Sequence, residues 1–182
     1  TLDSSFAEKQ HTRLQEMQLT SQLQILKTKA DTYFSGSDWD HAIEAYRKLF
    51  TIVPSSTSVG EEKVSDIQMR LVKAQLYRTV SSGNLAFAKG NWDAAINAYS
   101  SAGELLLKNK KLLGETQSVE NHQKLSRVIL QAETIRDKQT AQQLLKKDDK
   151  KKARQLFAQI YEKIKKSSFS KDEEFQAILE ET

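Results

Sequence analysis

The chain is predicted to be all-α, from its composition, from a stretch that occurs twice, and from apolar residues that recur at three- and four-residue steps. One Pro and six Gly in 182 residues leave little of the turn chemistry that a sandwich or barrel needs. Charged residues, 29% of the chain, are mixed with Leu, Ala and Gln, all strong helix formers. The segment from Phe87 to Tyr99 matches the segment from Phe34 to Tyr46 at Phe, Trp-Asp, Ala-Ile and Ala-Tyr, at a spacing of 53 residues. A chain of this length supports one helical-repeat domain over 1–182.

The elements follow in order. Leu19, Leu23, Leu26, Ala30 and Tyr33 form a helical stripe, so the opening helix is long and ends near Ser35. A tight turn using Gly36 leads to a second helix from about Trp39. Residues 54–60, from Pro54 to Gly60, form a loop. Between 61 and 89 there is no Pro, and Val64, Ile67, Leu71 and Ala74 keep helical spacing, so another long helix runs to a turn at Gly90, with its partner starting near Trp92. A second loop falls near Leu113, Gly114, Glu115 and Thr116. From 118 to 147 the stripe is Leu125, Val128, Ile129, Ala132 and Ile135, and a third hairpin closes with Ala153, Phe157 and Ile160. A C-terminal helix spans 171–181. The units are thus about 19–54, 61–111 and 118–167. Ala42 and Ala95 are small because paired helices cross there, and Trp39, Tyr46, Trp92 and Tyr99 fill the space on either side.

At these residues the sequence resembles the tetratricopeptide repeat family, whose signature runs small residue, Gly, aromatic, Ala, aromatic, Ala. The second unit matches with Gly83, Gly90, Trp92, Ala95, Tyr99 and Ala102, and the first with Ala30, Trp39, Ala42, Tyr46 and a closing Pro54. Gly36 stands one residue early, and Leu49 replaces the later Ala. The third unit, 145–164, is degenerate, with Asp148 for the Gly and Lys150 for the aromatic. The family repeats about every 34 residues. Here the spacings are 53, and 58 between Ala95 and Ala153, so each first helix is expected to be extended by four to five turns. The resemblance implies a tetratricopeptide-like array of about three hairpins with long first helices in a right-handed α-α superhelix.

The resemblance also implies a function, a non-enzymatic protein–protein interaction scaffold that holds a partner peptide or helix in a groove lined by the first helices. Carried onto this chain, the groove residues are Gln24, Lys27, Asp31 and Phe34, then Tyr77, Ser81, Asn84 and Phe87, then Ile135, Lys138, Gln139 and Gln142. Members that grip a C-terminal carboxylate use a set of Lys, Asn and Arg. Lys27 fits that set, whereas Asp31, Ser81, Ile135 and Gln139 do not, so that subtype is not expected. A second reading is a self-associating structural module, a homo-oligomer in which Leu19, Leu23, Leu26 and Tyr33 pair with another copy.

No catalytic constellation is present. His11, His41 and His122 are isolated from one another in sequence, without metal-ligand spacing, and are expected to be solvated or packed. Phosphate loops, nucleophile elbows and dinucleotide fingerprints are absent, and so is Cys. Asp38 with Asp40, and Glu61 with Glu62, sit where helix N-termini favour negative charge, as does Asp93, so capping is the expected role. No enzyme, cofactor or metal site is expected.

Charge is uneven. Residues 118–168 hold thirteen Lys/Arg against six Asp/Glu, a net of +7, while 169–182 carry a net of −4. The peak is Lys146, Lys147, Lys150, Lys151, Lys152 and Arg154. Such a patch can dock on nucleic acid or an anionic membrane. A solvated turn diluted by Asp148 and Asp149 is the plainer expectation, and no aromatic residues interleave the lysines for base stacking. No apolar run is long enough to span a membrane, and the first residues carry no signal-peptide core. The sequence leaves the compartment open, and the chain reads as a soluble domain, a piece of something longer for which a larger and a membrane-anchored parent are both open.

Overall fold

A computed structural model describes the backbone of residues 2–53 and 61–180, with side chains from 6 and from 64 onward in these two stretches. Among the described residues there are eight helices and no strand: α1 (Leu2–Ser35), α2 (Trp39–Ile52), α3 (Glu61–Ala88), α4 (Trp92–Lys108), α5 (Lys110–Leu113), α6 (Glu115–Lys146), α7 (Lys150–Lys166) and α8 (Glu173–Glu180). The all-α expectation holds. The long first helices are 34, 28 and 32 residues, and each is followed by a helix of 14 or 17. The loop expected at 54–60 and the side chains of Glu61 and Glu62 lie outside the described residues.

Three hairpins are closed by one and the same turn. Ser37 N–H donates to Phe34 O at 3.1 Å and Asp38 N–H to Tyr33 O at 2.9 Å. The pairs Gly90 to Phe87 and Asn91 to Ala86, both 2.9 Å, repeat this, and so do Asp148 to Leu145 at 3.0 Å and Asp149 to Leu144 at 2.9 Å. These are Schellman closures, which need a left-handed residue just past the helix end. Ser37 (φ 58°), Gly90 (φ 70°) and Asp148 (φ 61°) supply it. The next residue begins the second helix at once, since the side chains of Asp38, Asn91 and Asp149 accept from the amides of His41, Ala94 and Lys152. Each turn therefore satisfies the end of one helix and the start of the next with two residues.

Two expectations are corrected. The first turn does not use Gly36, because the hydrogen-bond register puts the left-handed conformation on Ser37 and leaves Gly36 outside the positive-φ region. The loop near 113–116 shrinks to Gly114 (φ 95°), because Lys110–Leu113 forms a helical turn and Glu115 and Thr116 already belong to α6.

The residues cluster into two compact units, Thr1–Arg78 with Lys111–Gly114, and Thr79–Lys110 with Glu115–Thr182. In the first unit, Ala30 and Ala42 are fully buried where α1 crosses α2. Tyr46 and Leu49 of α2 and Val53, which caps it, join Leu23 and Ala30 of α1 and Ile67 and Ala74 of α3 in a single core. Burying a side chain such as Leu49 contributes roughly 1.5–3 kcal/mol. In the second unit α4 packs along α6, and α6 along α7. Gly83 and Ala95 hold the crossing of α3 with α4, and Ala141 and Ala153 that of α6 with α7, where both alanines are fully buried. Phe175 of α8 is fully buried with Leu130, Ile160 and Ile164, and Phe157 packs against them. Arg127 holds α8 in place through Asp172 at 2.7 Å and Glu174 at 2.9 Å. Ser118 and Thr134 are buried with hydroxyls that find no hydrogen-bond partner among the described residues.

Candidate binding surface of the first helices

The tyrosine of each complete hairpin reaches back to the first helix at the same offset. Tyr46 O–H donates to Asp31 at 2.6 Å and Tyr99 O–H to Asn84 at 2.8 Å, each across fifteen residues. The third hairpin carries Phe157 opposite Gln142, and the bond is lost with the hydroxyl. Two of the residues expected to face a partner, Asp31 and Asn84, are thus also internal anchors.

Asp31 is the more heavily engaged. Lys27 pairs with it at 2.8 Å and Arg70 at 3.2 Å, and Arg70 also holds Asp66 at 3.2 Å. Burial opposes the charge on Asp31, but the hydrogen bonds from Lys27 and Tyr46 and the charges of Arg70 and Lys27 outweigh it, so its carboxyl lies below the ordinary carboxylate range. The Tyr46 phenol is pushed well above its usual range, by burial first and then by its bond to Asp31.

In the first unit Phe34 and Tyr77 come together with ring centroids 5.9 Å apart, and Trp39 closes the cluster at 5.4 Å from Phe34 and 5.2 Å from Tyr77. Phe34 and Trp39 are half-buried, while Tyr77 keeps 43% of its surface exposed. Arg78, next to Tyr77, pairs with Asp40 at 2.7 Å. Earlier on α1, Gln24 is exposed and Lys27 is half-buried. In the second unit Phe87 stands edge-on to Trp92 at 5.2 Å, Ser81, Asn84 and Gln142 are exposed, and Ile135 and Lys138 are half-buried. Trp92 Nε1–H donates to Gln139 at 2.8 Å, and Asp93 pairs with Arg136 at 2.7 Å. Asp40 and Asp93 therefore do more than sit in a first helical turn: each bonds an Arg from the first helix that follows. Sequence spacing hides this pairing, because the intervals from Asp to Arg are 38 and 43 residues.

Tyr46 and Tyr99, 0% and 3% exposed, are core residues. Among the histidines, His41 bonds Asp38 and stacks on Tyr33, His11 bonds Gln15, and His122 lies beside Gly103. No group of three or more His, Cys, Asp or Glu among the described residues could hold a metal ion. No helix among them is long and apolar enough to cross a membrane.

The stripe expected to pair with another copy is committed elsewhere. Leu23 is buried, and Leu19, Leu26 and Tyr33 pack against the core of the first unit, so pairing through them would require α1 to leave α2. In the basic patch Lys150 pairs with Asp148 and Lys152 with Asp149, whereas Lys146, Lys147, Lys151 and Arg154 form no ion pair among the described residues.

No family model, curated protein or solved structure matches the chain.

Proposed function

We propose that the chain is a non-enzymatic, tetratricopeptide-like scaffold that captures a peptide or helix of a protein partner on the surface of its first helices. The observation that carries this reading is the half-exposed cluster of Phe34, Trp39 and Tyr77, with the bonded pair Lys27 and Asp31 on the same first helix. Aromatic residues flanked by polar groups are the usual anchors of protein interfaces. Ser81, Asn84, Phe87, Lys138 and Gln142 extend the same type of surface in the second unit. The superhelical arrangement belongs to this proposal and is supported by the threefold use of one turn and one small-residue crossing.

Selection from a displayed peptide library tests it. Enriched peptides are expected to bind the parent chain and to lose at least tenfold in affinity to Tyr77→Ser, a substitution at an exposed position that leaves helicity intact. Binding is also expected to change the emission of Trp39 in a Trp92→Phe background. Peptides that bind Tyr77→Ser equally well would refute the site.

A second reading rests on the four cations Lys146, Lys147, Lys151 and Arg154, which form no ion pair among the described residues and suit an anionic surface. Retention on anionic vesicles or on nucleic acid that falls steeply between low and physiological salt, and disappears when these four are changed to Gln, would favour it.

A further inference from the structure

We infer that the chain forms a two-fold symmetric dimer through the outer face of α1, and this is independent of the partner-capture reading. Phe6, Leu14, Met17 and Ile25 are 64%, 56%, 60% and 66% exposed, although all are large and apolar. At 100° per residue they fall on one stripe of α1, about 29 Å long, opposite the stripe of Leu23 and Ala30 that packs into the core. Counted back from the small residues Ala30, Gly83 and Ala141, Leu14, Ser21 and Ile25 align with Ile67, Ala74 and Arg78 of α3 and with Leu125, Ala132 and Arg136 of α6. On those helices this face is covered: Ile67 and Ala74 lie in the core with α2, Ala132 is fully buried, and the two arginines bond Asp40 and Asp93. On α1 the arginine position holds Ile25, an apolar residue with no use for a carboxylate.

The spacing of the stripe identifies what covers it. Phe6 and Ile25 lie equally far on either side of a point between Gln15 and Glu16, and so do Leu14 and Met17. Antiparallel pairing of two copies about that point sets Phe6 on Ile25 and Leu14 on Met17, twice each, as an isologous interface requires. The edges agree as well. Arg13 comes opposite Gln18 of the second copy and Glu16 opposite Gln15, so both charges meet neutral amides. Lys9 comes opposite Gln22, so no like charges meet.

Sedimentation equilibrium tests the proposal. The parent is expected at about 41 kDa, twice the protomer's 20.7 kDa. Met17→Lys is expected to sediment as a monomer with unchanged circular dichroism. Leu14→Lys is expected to weaken association at least tenfold, again with unchanged circular dichroism. Because the chain lacks Cys, Leu14→Cys mixed with Met17→Cys is expected to cross-link on oxidation, whereas Glu8→Cys is not. A parent that stays monomeric at the highest soluble concentration overturns the proposal, leaving the stripe to a different occupant. A dimer that tolerates both Met17→Lys and Leu14→Lys overturns it as well.

Discussion

A Cβ built on Gly83 stands 2.7 Å from Cε1 of Tyr99 and 2.8 Å from Cδ1. The rigid ring is pinned by its hydroxyl on Asn84 and is 3% exposed, so it has nowhere to retreat. Gly83→Ala is therefore expected to destabilise the protein by about 1–3 kcal/mol through overpacking, although Ala is the better helix former by about 1 kcal/mol. Urea denaturation measures this. Gly103→Ala provides the contrast, because its Cβ meets the His122 ring at 3.2 Å, where a small rotation relieves the contact. That variant should stay within about 1 kcal/mol of the parent.

The left-handed residues of the three turns predict a second set of effects. Ser37→Gly and Asp148→Gly should each raise stability by up to about 1 kcal/mol, because only Gly adopts that conformation without strain. Gly90→Ala should lower it by about 1 kcal/mol for the same reason. Thermal unfolding of the three variants, with opposite signs for the two classes, checks the assignment of Ser37 over Gly36.

Thr134 points a hydroxyl without a hydrogen-bond partner among the described residues into a site where only 1% of the residue is exposed. Thr134→Val keeps the shape and removes the polar atom, and a gain of about 1 kcal/mol is expected. Ser118→Ala should behave alike. A loss in either variant would mean that the hydroxyl has a partner.

Asp31 makes stability depend on acid. Its folded carboxyl titrates below the ordinary range, so the folded state binds its proton more weakly than the unfolded chain does. The contribution is present in full at neutral pH and is lost as the pH falls below about 4 toward the folded value. Asp31→Asn is expected to cost about 1–2 kcal/mol at pH 7 and to flatten the stability curve below pH 4. Chemical denaturation of both proteins across pH 3–7 shows whether the curves converge in acid.

Much of the fold was legible because helix periodicity and a repeated crossing are local signals. Ala30, Ala42 and Tyr46 against Gly83, Ala95 and Tyr99 announce two hairpins, and Ala141, Ala153 and Phe157 a third. The turn was misread at Gly36 because residue type was used to locate a backbone conformation that Ser37 adopts instead. The stripe of Leu19, Leu23 and Leu26 was assigned to pairing with another copy for a different reason, yet it packs in the core. Leu19, Leu23 and Leu26 mark an apolar face without saying which partner covers it, and the second face of α1 is too sparse to register as a periodicity. The anchoring role of Asp31 and Asn84 could have been found, since both lie fifteen residues before a Tyr.

Ser, Gly and Asp occupy the same left-handed site in three closures that share one pattern of amide bonds. What is conserved across these copies is a dihedral angle and a pair of amide bonds, not a side chain. A duplicated hairpin held by main-chain geometry is free to drift in sequence, so its copies retain a common shape long after their spelling has diverged.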